Sequence, residues 1–105
     1  MSSTGETKTV RISKGNLYLD VQVYQTYFNG LSTAILLKRD NLFVLMPVHH
    51  EAGGGLLIKI RNAQGDRVIH AQEFFAEHCL DSLDAELSAV WDATISGLKL
   101  EIPAD

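Results

Sequence analysis

The sequence predicts an α+β domain, with an antiparallel β-meander of about six strands, one C-terminal helix packed on one face and a short final strand. Residues 81–97 carry apolar side chains at intervals of three and four, the spacing of an amphipathic helix. Residues 8–75 instead form short segments that alternate apolar and polar side chains, as strands do. The pair Asn29-Gly30 is a strong signal for a tight hairpin.

Length and composition predict a single soluble domain. A chain of 105 residues with 46% hydrophobic and 21% charged residues is long enough for one core and is typical of globular proteins. We expect residues 1–7 to be a disordered polar tail. The chain has one cysteine, Cys79, and neither a signal-peptide core nor an apolar run of transmembrane length. These features predict a cytoplasmic protein without a membrane association.

The charge distribution disfavours nucleic acid as a partner. The net charge is −4, and no Lys or Arg occurs between Val68 and Leu98, where six acidic residues lie. An acidic helix at residues 81–96 would be repelled by phosphate backbones. The basic residues of the first 67 positions are scattered rather than clustered. We therefore predict no nucleic-acid partner.

Six strands are expected before the helix, and one after it. They are predicted at residues 8–14, 17–28, 31–37, 42–46, 56–61 and 68–75, with the final strand at 98–102. The helix itself begins at the N-cap residue Asp81 and ends at Gly97, a residue favoured in the left-handed position after a helix. Its apolar stripe includes Trp91, which we expect to be buried against the sheet.

The hairpin turns predict a sheet with two apolar faces. A two-residue loop at Asn29-Gly30 pairs Tyr24 with Ile35, and a turn at residues 38–41 pairs Ile35 with Val44. One helix can cover only one face. The second face is therefore the predicted interface, since large exposed apolar patches mark interaction sites. Its residues are Tyr18, Tyr24, Phe28, Leu31, Ile35, Val44 and Met46.

Residues capable of metal or nucleophilic chemistry are present but poorly spaced for it. The segment His49-His50-Glu51 offers imidazole and carboxylate ligands, yet neighbouring residues of an extended chain point to opposite sides. The pair His78-Cys79 lies beside acidic residues, which oppose a thiolate. We predict no catalytic residue, no cofactor and no metal site, with His49, His50 and Glu51 as weak candidates for a metal.

Three functions remain open at this point. The sequence favours a non-enzymatic interaction or accessory protein that forms a homodimer, or binds a protein partner, through the second apolar face. An alternative is a small-molecule-binding domain, in which the sheet curls so that its aromatic face lines an apolar pocket. The third is a histidine-dependent or metal-dependent enzyme.

Overall fold

The strands close into an antiparallel barrel. A computed structural model describes residues 7–49 and 55–102, and these residues form eight strands and two short helices. The strand order around the barrel is β1-β2-β6-β5-β3-β4-β8-β7, with β7 pairing back to β1. The elements are β1 Lys8–Ser13, β2 Asn16–Leu19, α1 Val21–Tyr27, β3 Thr33–Arg39, β4 Leu42–Pro47, β5 Leu56–Ile60, β6 Arg67–His70, α2 Gln72–Glu77, β7 Asp84–Asp92 and β8 Gly97–Glu101.

The predicted antiparallel sheet is confirmed, but the predicted α+β class and six-strand meander are wrong. The segment predicted as the long C-terminal helix is mainly β7, which pairs with β1 on one side and β8 on the other. Its residues also alternate, and Leu87 and Ala89 are buried while Glu86 and Ser88 are exposed. Pairing on both sides provides partners for the backbone N–H and C=O groups of β7. This tertiary pairing outweighs the local preference for a helix that the spacing of the leucines indicates.

The predicted strand at residues 17–28 divides into β2 and the helix α1. Asp20 caps the helix, and its Oδ1 accepts a hydrogen bond of 2.8 Å from the Val23 N–H. A second carboxylate, Asp66, accepts the Val21 N–H at 2.8 Å. These bonds satisfy N–H groups that a helix start leaves without partners. Asn29-Gly30 consequently follows a helix and does not form the predicted hairpin.

The turn between β3 and β4 is shorter than predicted. Arg39 pairs with Leu42, so only Asp40 and Asn41 lie in the turn, and Asp40 has a φ of 51°. The register is therefore shifted by two residues from the prediction. Ile35 pairs with Met46 rather than with Val44. Because the shift is even, Ile35, Val44 and Met46 all stay on the same side of the sheet, as predicted.

The second half of the predicted strand 68–75 is the helix α2. It packs directly on the β1–β2 turn, where the Ala71 N–H donates to the Gly15 carbonyl at 2.9 Å. A side chain at Gly15 would meet the Gln72 Cα at 2.8 Å, and its φ is 82°. Glycine is needed there for both conformation and space.

The barrel interior is filled by apolar side chains. Alternate residues of the strands point inward, and Phe43 contacts Phe75 edge-to-face with ring centroids 5.1 Å apart. The largest fully buried side chains are Phe28, Phe43, Phe75, Ile12, Leu17, Leu19, Leu45, Ile69, Leu87, Leu98, Leu100 and Val10. Trp91 is half-buried, and it stacks on Tyr27 with centroids 4.9 Å apart. The core is thus a packed barrel interior and not a sheet covered by one helix.

Candidate interaction surface

The structure divides the predicted second face into three parts. Tyr24 and Phe28 belong to the interior, because α1 carries them into one end of the barrel. The Tyr24 hydroxyl donates at 2.8 Å to the carbonyl of Leu31, a half-buried residue that follows the helix. The Arg67 guanidinium lies 3.9 Å from the centre of the Tyr24 ring. Tyr24 and Phe28 are therefore buried within the domain, while Leu31 remains half-buried.

Tyr18 lies on the outer surface of β2, away from the other predicted residues. The Arg61 guanidinium lies 4.8 Å from the centre of its ring. A surface pocket of about 220 Å³ beside it is lined by both basic and acidic side chains, including Arg11 and Glu86. Arg11 is itself engaged in an ion pair with Asp84. This mixture of engaged charges does not define a site for an anion or a cation.

Ile35, Val44 and Met46 do come together, on the outer surface of β3 and β4. The pairs Ile35–Met46 and Leu37–Val44 are directly opposite one another in the ladder. Cross-strand neighbours on one face lie in side-chain contact. Three of the seven predicted residues thus form one surface, which Leu37 completes.

The turn that follows β7 shapes this surface. Ile95 of this turn lines a shallow pocket of about 220 Å³ together with Leu37, Arg39, Val44 and Met46. Val44 is buried although it points outward. Gly97 makes this possible, because a Cβ there would come within 2.6 Å of the Val44 Cγ1 and 3.1 Å of the Met46 Cγ.

Exposed large apolar residues are concentrated in one sector of the barrel. Within the described residues they are Ile35, Leu37, Leu57 and Ile60, with exposed fractions of 42%, 44%, 57% and 71%. All four lie on the neighbouring strands β3 and β5. We call Ile35, Leu37, Leu57, Val44, Met46 and Ile95 together the β3–β4 patch. Alternation along β3 places Leu37 on the predicted second face, and alternation along β5 could have predicted Leu57, whereas Ile95 lies in the segment predicted as a helix.

Charged residues lie around the patch and not within it. Arg39 borders the shallow pocket, and Lys99 pairs with Asp92 at 3.5 Å. Hydrogen bonds from the Thr94 hydroxyl and N–H, with a smaller contribution from Lys99, hold the pKa of Asp92 below its usual value. Asp92 therefore stays ionised and fixes the turn that carries Ile95.

Of the predicted metal candidates, one lies within the described residues. His49 is exposed, while His50 and Glu51 lie outside the described residues. His70 Nδ1 is 2.9 Å from Asn16 Oδ1, and His78 packs against the rings of Phe43 and Phe74. Across residues 7–49 and 55–102, no group of three or more His, Cys, Asp or Glu side chains could hold a metal ion.

Comparison with known protein families, with curated proteins and with solved structures gives no match. In the described part of the chain, neither helix has the length and apolar character needed to cross a membrane. The fold and surface define a small antiparallel β-barrel domain with an apolar patch on one side.

Proposed function

We propose that this protein is a non-enzymatic interaction domain that self-associates through the β3–β4 patch. The observation that carries the proposal is the clustering of Ile35, Leu37 and Leu57, each more than two-fifths exposed, on adjacent strands. A single exposed leucine needs no explanation, but a contiguous patch of a few hundred Å² is often functional. The free, exposed thiol of Cys79 fits a reducing compartment, which supports a cytoplasmic location as part of the proposal.

A second copy of the chain is the partner that this surface fits best. The barrel interior is already filled by its own side chains, so turning the patch inward would displace packed core residues. Symmetric pairing places the same uncharged centre on both sides. Only the uncharged centre of each patch is then removed from water. Charged side chains at the rim, such as Arg39 and Lys99, can remain solvated.

The size of the patch predicts a weak dimer. Burying a few hundred Å² on each copy contributes on the order of 10–20 kcal/mol at about 25 cal/mol per Å². Lost translational and rotational freedom and side-chain ordering oppose this by about 4–15 kcal/mol. The middle of the two ranges leaves about 5 kcal/mol, which corresponds to a dissociation constant of roughly 0.1 mM. The interface is therefore of the transient class.

The small-molecule alternative required Tyr18, Tyr24, Phe28 and Met46 to line one pocket. Tyr18 and Met46 instead lie on the outer surfaces of different strands, while Tyr24 and Phe28 are buried inside. No observation on the described residues favours the enzyme alternative over self-association.

Sedimentation equilibrium of wild type and of Ile35→Glu, from about 1 µM to 1 mM, tests the proposal. Wild type should show a concentration-dependent dimer, and Ile35→Glu should stay monomeric with an unchanged far-UV spectrum, because a charge would be desolvated in the contact. Thr9→Glu is the matched control, since Thr9 is exposed on β1 across the barrel. It should dimerise like wild type. A wild-type protein that remains monomeric throughout would refute self-association.

A further inference from the structure

The turn between β7 and β8 brings Ile95 to the β3–β4 patch. Asp92 pairs with Gly97 at the end of the β7–β8 ladder, so residues 93–96 form the turn. The Ile95 N–H donates to the Asp92 carbonyl at 3.3 Å. The Ile95 Cδ1 is 3.8 Å from the position that a Cβ on Gly97 would take. The Ile95 side chain therefore lies next to Gly97, at the shallow pocket that it helps to line.

Both oxygens of the Asp92 carboxylate hold this turn. Oδ1 accepts the Thr94 N–H at 2.9 Å and the Thr94 hydroxyl at 2.6 Å. Oδ2 lies 3.5 Å from the Nζ of Lys99 on β8. Hydrogen bonds to an ionised acceptor are roughly twice as strong as those between neutral groups. The pocket is lined by Ile95 and not by Asp92, so Asp92 acts on the patch through the turn.

The turn depends on these hydrogen bonds, because its own residues supply little packing. Ala93, Thr94 and Ser96 are exposed, and Ile95 is half-buried. Ser96 has a φ of 52°, and a residue other than glycine adopts this left-handed conformation only where its surroundings hold it. The contacts of Asp92 thus order Ile95 in the free monomer.

We propose that Asp92 is a positioning residue for self-association, which holds Ile95 at the place where the second copy of the chain contacts it. This inference rests on the proposed self-association and adds a residue outside the contact that sets its affinity. A side chain that is already ordered in the monomer loses less conformational entropy on association. If the turn is released, Ile95 must become ordered as the dimer forms. The dissociation constant should then rise by about three- to tenfold.

Sedimentation equilibrium of Asp92→Ala and of the matched control Asp66→Ala tests this role. The Asp66 carboxylate also accepts a backbone N–H, from Val21 at 2.8 Å, and a side-chain hydrogen bond from Asn62 at 3.0 Å. It lines the pocket of mixed charge and not the β3–β4 patch. Both variants should lose stability in urea, but only Asp92→Ala should dimerise more weakly than wild type. Asp92→Asn keeps an acceptor oxygen for Thr94 and should dimerise more tightly than Asp92→Ala.

Thr94→Val is a second test that leaves Asp92 in place. The change replaces an exposed hydroxyl, the one that donates to Asp92, by a methyl group outside the patch. It should also weaken dimerisation, with an unchanged far-UV spectrum. Thr26→Val is its control, since the exposed Thr26 hydroxyl donates to the Gln22 carbonyl at 2.7 Å within α1. This control should dimerise like wild type.

The outcomes separate this inference from the proposed function. If Asp92→Ala and Thr94→Val dimerise like wild type while Ile35→Glu does not, self-association holds and the positioning role is wrong. The role is also wrong if Asp66→Ala weakens dimerisation as much as Asp92→Ala, because the effect then follows general stability. Should Asp92→Ala fail to fold, Thr94→Val compared with its control decides the question. A monomeric wild type refutes both proposals.

Discussion

Gly97→Ala should destabilise the protein through a single added methyl group. Nothing about the backbone forbids alanine, since Gly97 is not among the residues with positive φ. The added Cβ would lie 2.6 Å from the Val44 Cγ1, well inside van der Waals contact. Overpacking of this kind costs about 1–3 kcal/mol, and the reduced entropy of the unfolded chain offsets about 0.4–1 kcal/mol. We expect a net loss of about 1–2 kcal/mol.

The predicted clash involves the Val44 Cγ1, so a double-mutant cycle can measure the energy of that one contact. Val44→Ala removes the Cγ1 that the new methyl group would meet, and alone it should cost about 1–2 kcal/mol as a large-to-small change at a buried residue. In the double variant Gly97→Ala/Val44→Ala the added methyl occupies part of the vacated space. The combined loss should therefore be smaller than the sum of the single losses by at least about 1 kcal/mol.

Urea unfolding followed by circular dichroism measures these free energies. The dependence of the unfolding free energy on urea concentration in wild type serves as the reference for the variants. Each variant should be measured at several protein concentrations, because the proposed dimer would add a concentration-dependent stability to the folded state. If the loss in the double variant equals the sum of the two single losses to within about 0.5 kcal/mol, Val44 does not pack on the backbone of Gly97 as argued.

Two further predictions concern the ends of the barrel. Hydrogen bonds from Asn62 and from the Val21 N–H, with a contribution from Arg61, hold the pKa of Asp66 below its usual value. The stability from this carboxylate is thus present above about pH 4 and is lost as pH falls through the lowered pKa. Asp66→Asn should therefore be less stable than wild type at pH 7. The difference between the urea unfolding midpoints of the two proteins should decrease as the pH is lowered. Tyr27→Ala should uncover Trp91, the one tryptophan of the chain, and shift its fluorescence to longer wavelength. An unchanged emission maximum would mean that the ring stack does not form.

The sequence identified most strands, but its one predicted helix is wrong, and the reason is visible in β7. The segment around β7 fits two periods at once. Leu80, Leu83, Leu87 and Val90 recur every three or four positions, while Ala85, Leu87, Ala89 and Trp91 alternate. Local periodicity cannot choose between them. The choice depends on whether the neighbours β1 and β8 are in place to accept the backbone hydrogen bonds, and that information is not local.

The opposite error occurred at α1. Residues 17–28 are rich in β-branched and aromatic side chains, which favour strands. The decisive residue is Asp20, whose carboxylate accepts a helical N–H, together with the distant Asp66. Asp20 lies within the segment predicted as a strand, so the prediction missed its role as a helix cap. The contribution of Asp66 depends on the tertiary fold and could not have been predicted.

Part of the predicted surface is found in the structure despite these errors, because alternate residues of a strand lie on the same face. An even shift of register leaves each side chain on its original face, and so Ile35, Val44 and Met46 remain neighbours although their pairing differs from the prediction. Tyr24 and Phe28 were lost from the surface because their segment is helical. Predictions about which residues share a face are therefore more robust than predictions about pairing.

Closure of the barrel changes what the outer apolar residues signify. In an open sheet a second apolar face could belong to the core of the fold, whereas in a closed barrel the interior alone supplies the core. Elsewhere on the outer surface, strand positions such as Thr9, Arg11, Glu86 and Ser88 are exposed and polar. Folding does not require Ile35 and Leu37 to be apolar, since each remains more than two-fifths exposed and gains little from burial within the monomer. The exposed apolar side chains of β3 are therefore the positions at which the proposed self-association is tested most directly.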